Sequence, residues 1–165
     1  MIKFDYIKCP LNRYTFKVKN IKKWVEQECE GLTLNLFAGK TKLDINEIRN
    51  DLDKDSLAEY YLDALEFCKF WNKEKKFDTI LLDPPYALRK SMEMYGGRKV
   101  SKFNKIKDCI VDMIKDNGKI ITFGYHSVSM GKKRGFNIEK IALFSHGGAI
   151  HDTIATIERK NEKNN

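Results

Sequence analysis

The order of apolar and polar positions divides the chain into strand-like and helix-like segments. Short, mostly apolar runs of strand length lie at residues 32–38, 77–82, 119–126, 136–141 and 153–158. Apolar residues spaced three and four apart predict helices over residues 21–29 and 103–114. This alternation of strands and helices indicates an α/β fold.

The residues that flank both helices support their assignment. Asn20 can cap the first helix and Gly31 can stop it. In the second helix, Ile106 and Ile110 share one apolar face, and residues 116–118 are expected to end it.

Two further segments are ambiguous. Residues 3–19 interleave basic and aromatic side chains, which can grip phosphates and stack on bases. We favour the alternative that this segment is an edge strand or hairpin against the core. The spacing of apolar residues over 57–68 fits a core helix. We favour instead a short strand through residues 61–62 that enters a helix near Ala64.

The composition indicates one folded domain. The chain has 165 residues, of which 42% are hydrophobic and 12% aromatic, and this argues against disorder. We expect a single domain over residues 1–160 and a polar tail over residues 161–165. No apolar stretch approaches the roughly 20 residues of a membrane span, and the N-terminus lacks the apolar region of a signal peptide.

The four cysteines are scattered and form no Cys-x-x-Cys pair, which argues against a disulfide or metal framework. We therefore expect a cytoplasmic protein with reduced thiols and no metal. The net charge of +8 suits a polyanionic partner such as nucleic acid. Lysine-rich chains without such a partner can be equally basic.

The strand-like run at residues 77–82 leads directly into Asp83-Pro84-Pro85-Tyr86. The prolines fix the backbone and remove two N–H donors, so that carbonyls and one carboxylate remain as acceptors. The tyrosine ring offers a stacking face. This set of groups suits the task of holding a planar amino group beside an electrophile. An ordinary strand-to-turn exit is the alternative.

This motif resembles the catalytic motif of S-adenosylmethionine-dependent class I amino-methyltransferases. These enzymes methylate exocyclic nitrogens, most often N6 of adenine, and some relatives methylate N2 of guanine or a protein glutamine. The resemblance implies a Rossmann-like sheet and S-adenosyl-L-methionine as cofactor. It also implies catalytic roles for Asp83, Pro84, Pro85 and Tyr86.

Three upstream segments follow the order found in this family. By resemblance, the cofactor-binding residues are Phe37, Ala38, Gly39, Asp51, Leu52, Asp63 and Ala64. Asp51 would accept both ribose hydroxyls, with Asp53 as the fallback, and Leu52 would lie against the adenine. Asp63 would meet the adenine amine.

The spacing of these segments departs from the family pattern. Only eleven residues lie between Gly39 and Asp51, and eleven lie between Asp51 and Asp63. A crossover between parallel strands usually needs about a dozen residues or more. We therefore expect shortened or missing first crossover helices.

The segment after the motif, residues 87–100, corresponds to the family's loop that closes over cofactor and base. Gly96 and Gly97 would permit that motion. The side chains predicted to contact substrate are Arg89, Lys90, Tyr95, Arg98 and Lys99. The alternative is a solvated loop with a loose helix.

The leading functional hypothesis is methyl transfer to adenine N6 in DNA, followed by adenine N6 or guanine N2 in RNA. No segment is long enough for a separate target-recognition domain, so the hypothesis allows low specificity, structured RNA, a specificity partner or a homodimer. The other classes considered are a non-catalytic nucleic-acid-binding module and a methyltransferase for protein or small molecules. His146 and His151 are expected in a loop at the rim of the site, where residues 125–127 could also line the pocket.

Overall fold

A computed structural model describes residues 1–95, 97–148 and 151–162, with the backbone only for Met94 and Tyr95. The strands are β1 (Lys3–Lys8), β2 (Thr33–Asn35), β3 (Glu47–Arg49), β4 (Phe77–Leu82), β5 (Met92–Tyr95), β6 (Arg98–Ser101), β7 (Ile114–Gly124), β8 (Phe136–Ser145) and β9 (Thr153–Lys160). The helices are α1 (Lys19–Glu28), α2 (Ala64–Phe70), α3 (Tyr86–Lys90) and α4 (Lys102–Ile110).

Within the described residues, seven strands form one sheet in the order β1-β8-β9-β7-β4-β2-β3, and β5 and β6 form a separate hairpin. In the large sheet as described, β9 alone runs antiparallel to its neighbours. The carboxyl ends of β2, β3, β4 and β7 therefore lie along the same edge. Ligands of open α/β sheets bind at this edge.

Helices cover the sheet on both faces because the side chains of its strands alternate between the faces. In β7, Ile120 belongs to the core cluster that also contains residues of α2 and α4. The next residue, Ile121, faces the opposite cluster, which contains α1. There the Trp24 ring of α1 meets Phe123 edge-on at 6.2 Å and Phe144 at 5.4 Å. None of the helices in the described part of the chain could cross a membrane.

The first crossovers are reduced, as the spacing predicted. The described residues 36–46, between β2 and β3, contain no helix, and the segment after β3 holds only a single turn at Lys54–Ser56 before α2. The prediction of a strand through residues 61–62 was wrong. An isolated bridge joins Asn50 and Tyr60 instead. The Asn50 side chain bonds both the N–H and the carbonyl of Leu62 at 3.1 and 3.0 Å, in place of a strand ladder.

Residues 3–19 contain the predicted edge strand, β1, which pairs with β8, but no hairpin. The helix predicted over residues 103–114 ends at Ile110, because Ile114 already pairs with Phe77 as the start of β7. Residues 116–118, expected to end that helix, lie within β7, where the register with β4 shifts.

Residues 87–100 were expected to form a loop, but they fold as the rest of α3 and the hairpin β5–β6. Gly97, at the tip of the hairpin, has a positive φ of 79°. Gly96, the other half of the predicted hinge, lies outside the described residues, as do residues 163–165 of the predicted tail.

Candidate active site

A cavity of about 480 Å³ opens where β2, β3 and β4 end. All four residues of the Asp83–Tyr86 motif and all seven predicted cofactor-binding residues line it. They come from four separate segments, and parallel pairing brings three of these segments to one edge. Its volume falls within the range of about 300–1,000 Å³ that is typical of small-molecule sites.

Asp51 occupies the end of β3 and is held by two backbone donors. Its Oδ2 accepts the Gly39 N–H at 2.8 Å, and its Oδ1 accepts the Asp53 N–H at 2.8 Å. Gly39 has a φ of 61°, the left-handed region that favours glycine, and this turns the loop after β2 toward Asp51. A carboxylate has about four lone-pair sites, so Asp51 can still accept two hydroxyls.

Arg49 ties the loop after β2 in place, a role that the sequence analysis missed. The residue is 2% exposed, and its guanidinium pairs with Glu47 at 2.9 Å. It also donates to the carbonyls of Gly39 at 2.8 Å, Thr41 at 3.1 Å and Ser56 at 3.3 Å. An arginine at a strand end gives no sequence signal of burial, because arginine usually lies at the surface.

Asn50 was also missed, although it joins three segments of the site. Its amide donates to the Leu36 carbonyl at 3.3 Å and to the Leu62 carbonyl at 3.0 Å. Its backbone N–H donates to Asn35 at 3.0 Å, and its carbonyl accepts from Ala38 at 3.0 Å. Asparagine side chains favour such local backbone bonds.

The two sides of the predicted adenine site differ in polarity. Leu52 is 66% exposed beside the cavity and presents an apolar surface. Asp63 caps α2 through the Leu65 N–H at 3.0 Å and pairs with Lys102 at 2.6 Å. Burial acts to raise the pKa of Asp63, but these hydrogen bonds and the Lys102 charge bring it below its ordinary value. Asp63 therefore stays ionised at the start of α2.

Asp83 and Tyr86 occupy different depths of the cavity. Burial raises the pKa of Asp83, although a hydrogen bond with the Thr15 side chain and the Arg89 charge act in the opposite direction. Pro84 is buried, whereas Tyr86 is 56% exposed, with the Lys90 ammonium 4.5 Å from its ring centre. The Asp83 carboxylate, a hydrogen-bond acceptor, thus lies inside the cavity. The Tyr86 ring offers a stacking surface at the mouth of the cavity.

The N-terminal segment forms a further wall of the cavity through residues 13–16, which the sequence analysis did not assign to the site. The Tyr14 ring carries the Arg13 guanidinium at 5.7 Å and the Lys17 ammonium at 5.1 Å. The interleaved basic and aromatic pattern of residues 3–19 was the signal that could have located it.

The described side chains among the predicted substrate-binding residues differ in exposure and direction. Arg89 is half-buried, donates to the Phe123 carbonyl and lies over the Phe103 ring, so it is directed away from solvent phosphates. Lys90 is exposed over Tyr86, and Arg98 and Lys99 are exposed on β6. The side chain of Tyr95 lies outside the described residues.

The two histidines have different surroundings. His146 Nε2 lies 2.8 Å from the Thr153 hydroxyl, and its Nδ1 lies 3.3 Å from the Cys9 carbonyl. The exposed ring of His151 lies 5.1 Å from that of Tyr125. His151 is thus the more exposed of the two, and a place for either histidine at the rim of the site stays a prediction.

Known proteins resemble part or most of this chain. No family model matches the chain. A curated relative, the tRNA (guanine(10)-N(2))-methyltransferase TRMT11 of Gallus gallus, is 34% identical over 82 residues. The match spans 48% of this chain and only 16% of that protein.

Solved structures resemble nearly the whole chain. TrmN from Thermus thermophilus matches with a TM-score of 0.60 at 14% identity, over 90% of this chain and 50% of that chain. The N-methyltransferase NodS from Bradyrhizobium japonicum WM9 matches with a TM-score of 0.62 at 12% identity, over 92% of this chain and 100% of that chain. NodS in complex with S-adenosyl-L-homocysteine also matches, with a TM-score of 0.51 at 12% identity, over 79% of this chain and 77% of that chain. The chain therefore has the Rossmann-like fold of class I methyltransferases, with its first crossover helices reduced.

Proposed function

We propose that this chain is an S-adenosylmethionine-dependent N-methyltransferase that modifies an exocyclic amino group of a base in RNA. The observation that carries the proposal is the single cavity into which the Asp83–Tyr86 motif and the predicted cofactor-binding residues all project. The similarity to TRMT11 and the shared methyltransferase fold support it.

The residues around the cavity fit a nucleoside cofactor. Asp51 keeps acceptor sites for a ribose diol, and exposed Leu52 offers an apolar surface for a purine ring. Space is open beside Gly39, where an added Cβ would meet no atom within 4 Å. When bound, S-adenosyl-L-methionine supplies a methyl group activated by a sulfonium.

The motif residues prepare the amino group of the target base. Asp83 and the Pro84 carbonyl accept its two N–H bonds, which draws the nitrogen lone pair out of conjugation with the ring. Tyr86 stacks on the base and holds it in line with the methyl donor. As the amino nitrogen gains the methyl group it loses a proton, and Asp83 lies where it can accept that proton.

We infer guanine N2 in RNA as the first candidate target and adenine N6 as the second. The sequence analysis placed adenine N6 in DNA first. We reverse this order because the curated relative is named a tRNA guanine-N2 methyltransferase.

A non-catalytic RNA-binding module is the second candidate. The absence of a helix between β2 and β3, in the described residues 36–46, favours it, since cofactor contacts from that helix are lost. The intact Asp83–Tyr86 motif favours the enzyme.

Transfer of tritiated methyl groups from S-adenosyl-L-methionine to tRNA, rRNA and DNA pools tests the proposal, with nucleoside analysis of the product. We expect labelled N2-methylguanosine from RNA, and no label with Asp83→Ala although that variant still binds S-adenosyl-L-homocysteine. Asp112→Ala is the matched control, because Asp112 is exposed just before β7 begins, at the opposite edge of the sheet. Full turnover by Asp83→Ala would contradict the mechanism, and cofactor binding without transfer to any pool would favour the binding module.

A further inference from the structure

A row of exposed rings extends from the catalytic motif along the edge of the sheet. The Tyr86 ring meets Tyr125 at 6.3 Å, and Tyr125 meets His151 at 5.1 Å. Tyr125 directly follows β7, and His151 lies two residues before β9. The antiparallel pairing of Gly124 with Ile154 brings these two strand ends together.

These rings are far more exposed than rings that complete a core. Tyr86 is 56% exposed and Tyr125 is 48% exposed, whereas Phe123, two residues before Tyr125, is 1% exposed. Contact between the rings leaves about half of each tyrosine open to solvent. The row therefore offers stacking area that the fold itself does not use.

Positive charge accompanies the row. The Lys90 ammonium lies 4.5 Å from the centre of the Tyr86 ring. The Arg89 guanidinium turns inward behind the row, within electrostatic range of both Asp83 and Tyr125, so Lys90 is the cation of the row that is open to solvent. Arg89 occupies the space beside Gly124 that any larger side chain would fill. Aromatic rings beside cations are the combination with which proteins bind unpaired nucleic acid, because bases stack and phosphates are attracted.

We propose that Tyr125 and His151 continue the Tyr86 ring as a stacking track for unpaired nucleotides next to the target base. This inference rests on the proposed function and narrows its substrate class to single-stranded or looped RNA. Stacking needs the face of a base, which a duplex keeps covered. A base inside a duplex would first have to be flipped out.

Fluorescence anisotropy of a labelled 12-nucleotide RNA tests the track, with the same strand annealed to its complement as the paired probe. We expect the chain to bind the unpaired strand more tightly than the duplex. Tyr125→Leu keeps an apolar side chain but removes the ring, and we expect it to weaken binding of the unpaired strand about ten-fold, in line with the loss of one stacked base. Duplex binding should stay unchanged.

Two further variants make the readout specific for stacking. Tyr125→Trp should retain tight binding, because it keeps an aromatic face. Phe4→Leu is the matched control, since Phe4 is 62% exposed at the amino end of β1, away from the row. Unchanged binding by Tyr125→Leu, or equal losses on both probes, would overturn the track. Equal losses would fit a surface for a protein partner.

The binding assay tests the stacking track and the methyl-transfer assay tests the proposed function, so that either can fail without the other. If Tyr125→Leu loses unpaired RNA but the unmodified chain transfers no methyl group, the track stands and the proposed function falls. If the chain methylates RNA and Tyr125→Leu has the same KM and kcat, the function stands and the track falls.

Discussion

At the scale of single residues, the site depends on carboxylates whose oxygens are partly occupied by the protein itself. Asp51 accepts two backbone N–H groups and thereby shapes the loop it would share with a cofactor. Asp83 sits where burial raises its pKa, beside Thr15 and Arg89. The hydrogen bonds of Asp51 and the raised pKa of Asp83 can therefore each be tested by substitution.

We expect Asp51→Ala to weaken binding of S-adenosyl-L-homocysteine about ten-fold or more. The variant loses the hydrogen bonds that the ribose hydroxyls would donate to a charged acceptor, each contributing about 1.5–3 kcal/mol, and it frees the Gly39 loop. Calorimetric titration measures the change. Asp112→Ala is again the matched control, because Asp112 is exposed just before β7 begins, at the opposite edge of the sheet. An unchanged affinity in Asp51→Ala would remove the ribose role.

The pH dependence of transfer should report on Asp83. Only the carboxylate form accepts the substrate N–H, so kcat/KM should fall as the pH drops through the raised pKa of Asp83. The acidic limb should therefore lie above the ordinary aspartate value of about 3.9. Because the Thr15 hydrogen bond acts to lower the pKa of Asp83, Thr15→Val should move the limb to higher pH. A limb that stays in place, or moves to lower pH, would exclude Asp83 as the titrating group.

At the scale of elements, a buried polar cluster stands in for the missing crossover helices. Arg49 joins β3 to the loop after β2 and to the turn at Lys54–Ser56. Glu47 completes the cluster by accepting from Arg49, the Asn35 side chain and the Leu43 N–H. Segments that a helix would usually separate are held together by one guanidinium.

We expect Arg49→Met to lower the free energy of unfolding by about 3–5 kcal/mol. The variant leaves the Glu47 carboxylate buried without its charged partner, which is more destabilising than loss of the pair. Chemical denaturation measures the change, with Lys54→Met as an exposed control. The double variant Glu47→Gln with Arg49→Met should recover part of the loss. A change below about 1 kcal/mol in Arg49→Met would show that the cluster is not needed.

At the scale of the whole molecule, the net charge of +8 and the open edge of the sheet both suit the RNA substrate proposed above. The hairpin β5–β6 follows α3 and carries exposed Arg98 and Lys99. The exposed Lys132 and Lys133 lie near the start of β8, at the other edge. We expect position, rather than total charge, to decide which of these cations would contact RNA.

Replacing Arg98 and Lys99 by Gln should reduce the salt dependence of RNA binding. Each phosphate contact with a single strand contributes about 0.7 to the slope of log K against log salt, so the slope should fall by about 1.4. Replacing Lys132 and Lys133 by Gln removes the same charge and should leave the slope almost unchanged. Equal effects of the two pairs would mean that RNA responds to the overall charge of the chain.

Features formed by neighbouring residues could be predicted from the sequence, whereas features assembled from distant segments could not. Residues 77–86 were assigned as a strand followed by the motif, and β4 with Asp83–Tyr86 at its end has that arrangement. The strand expected at residues 61–62 failed because Asn50, from another segment, satisfies the Leu62 backbone. A pattern within one segment carries no information on which distant side chain will compete for its hydrogen bonds.

The sequence by itself therefore determined the α/β class, the motif after β4 and the reduced first crossovers, because each depends on neighbouring residues or on chain length. Only the tertiary structure decided that Arg49 holds the loop after β2, that residues 13–16 wall the cavity and that Arg89 turns inward. It also placed Tyr125 beside His151, 26 positions apart in the chain. The physical reason is that strand order and burial bring remote segments together, whereas periodicity describes only one segment at a time.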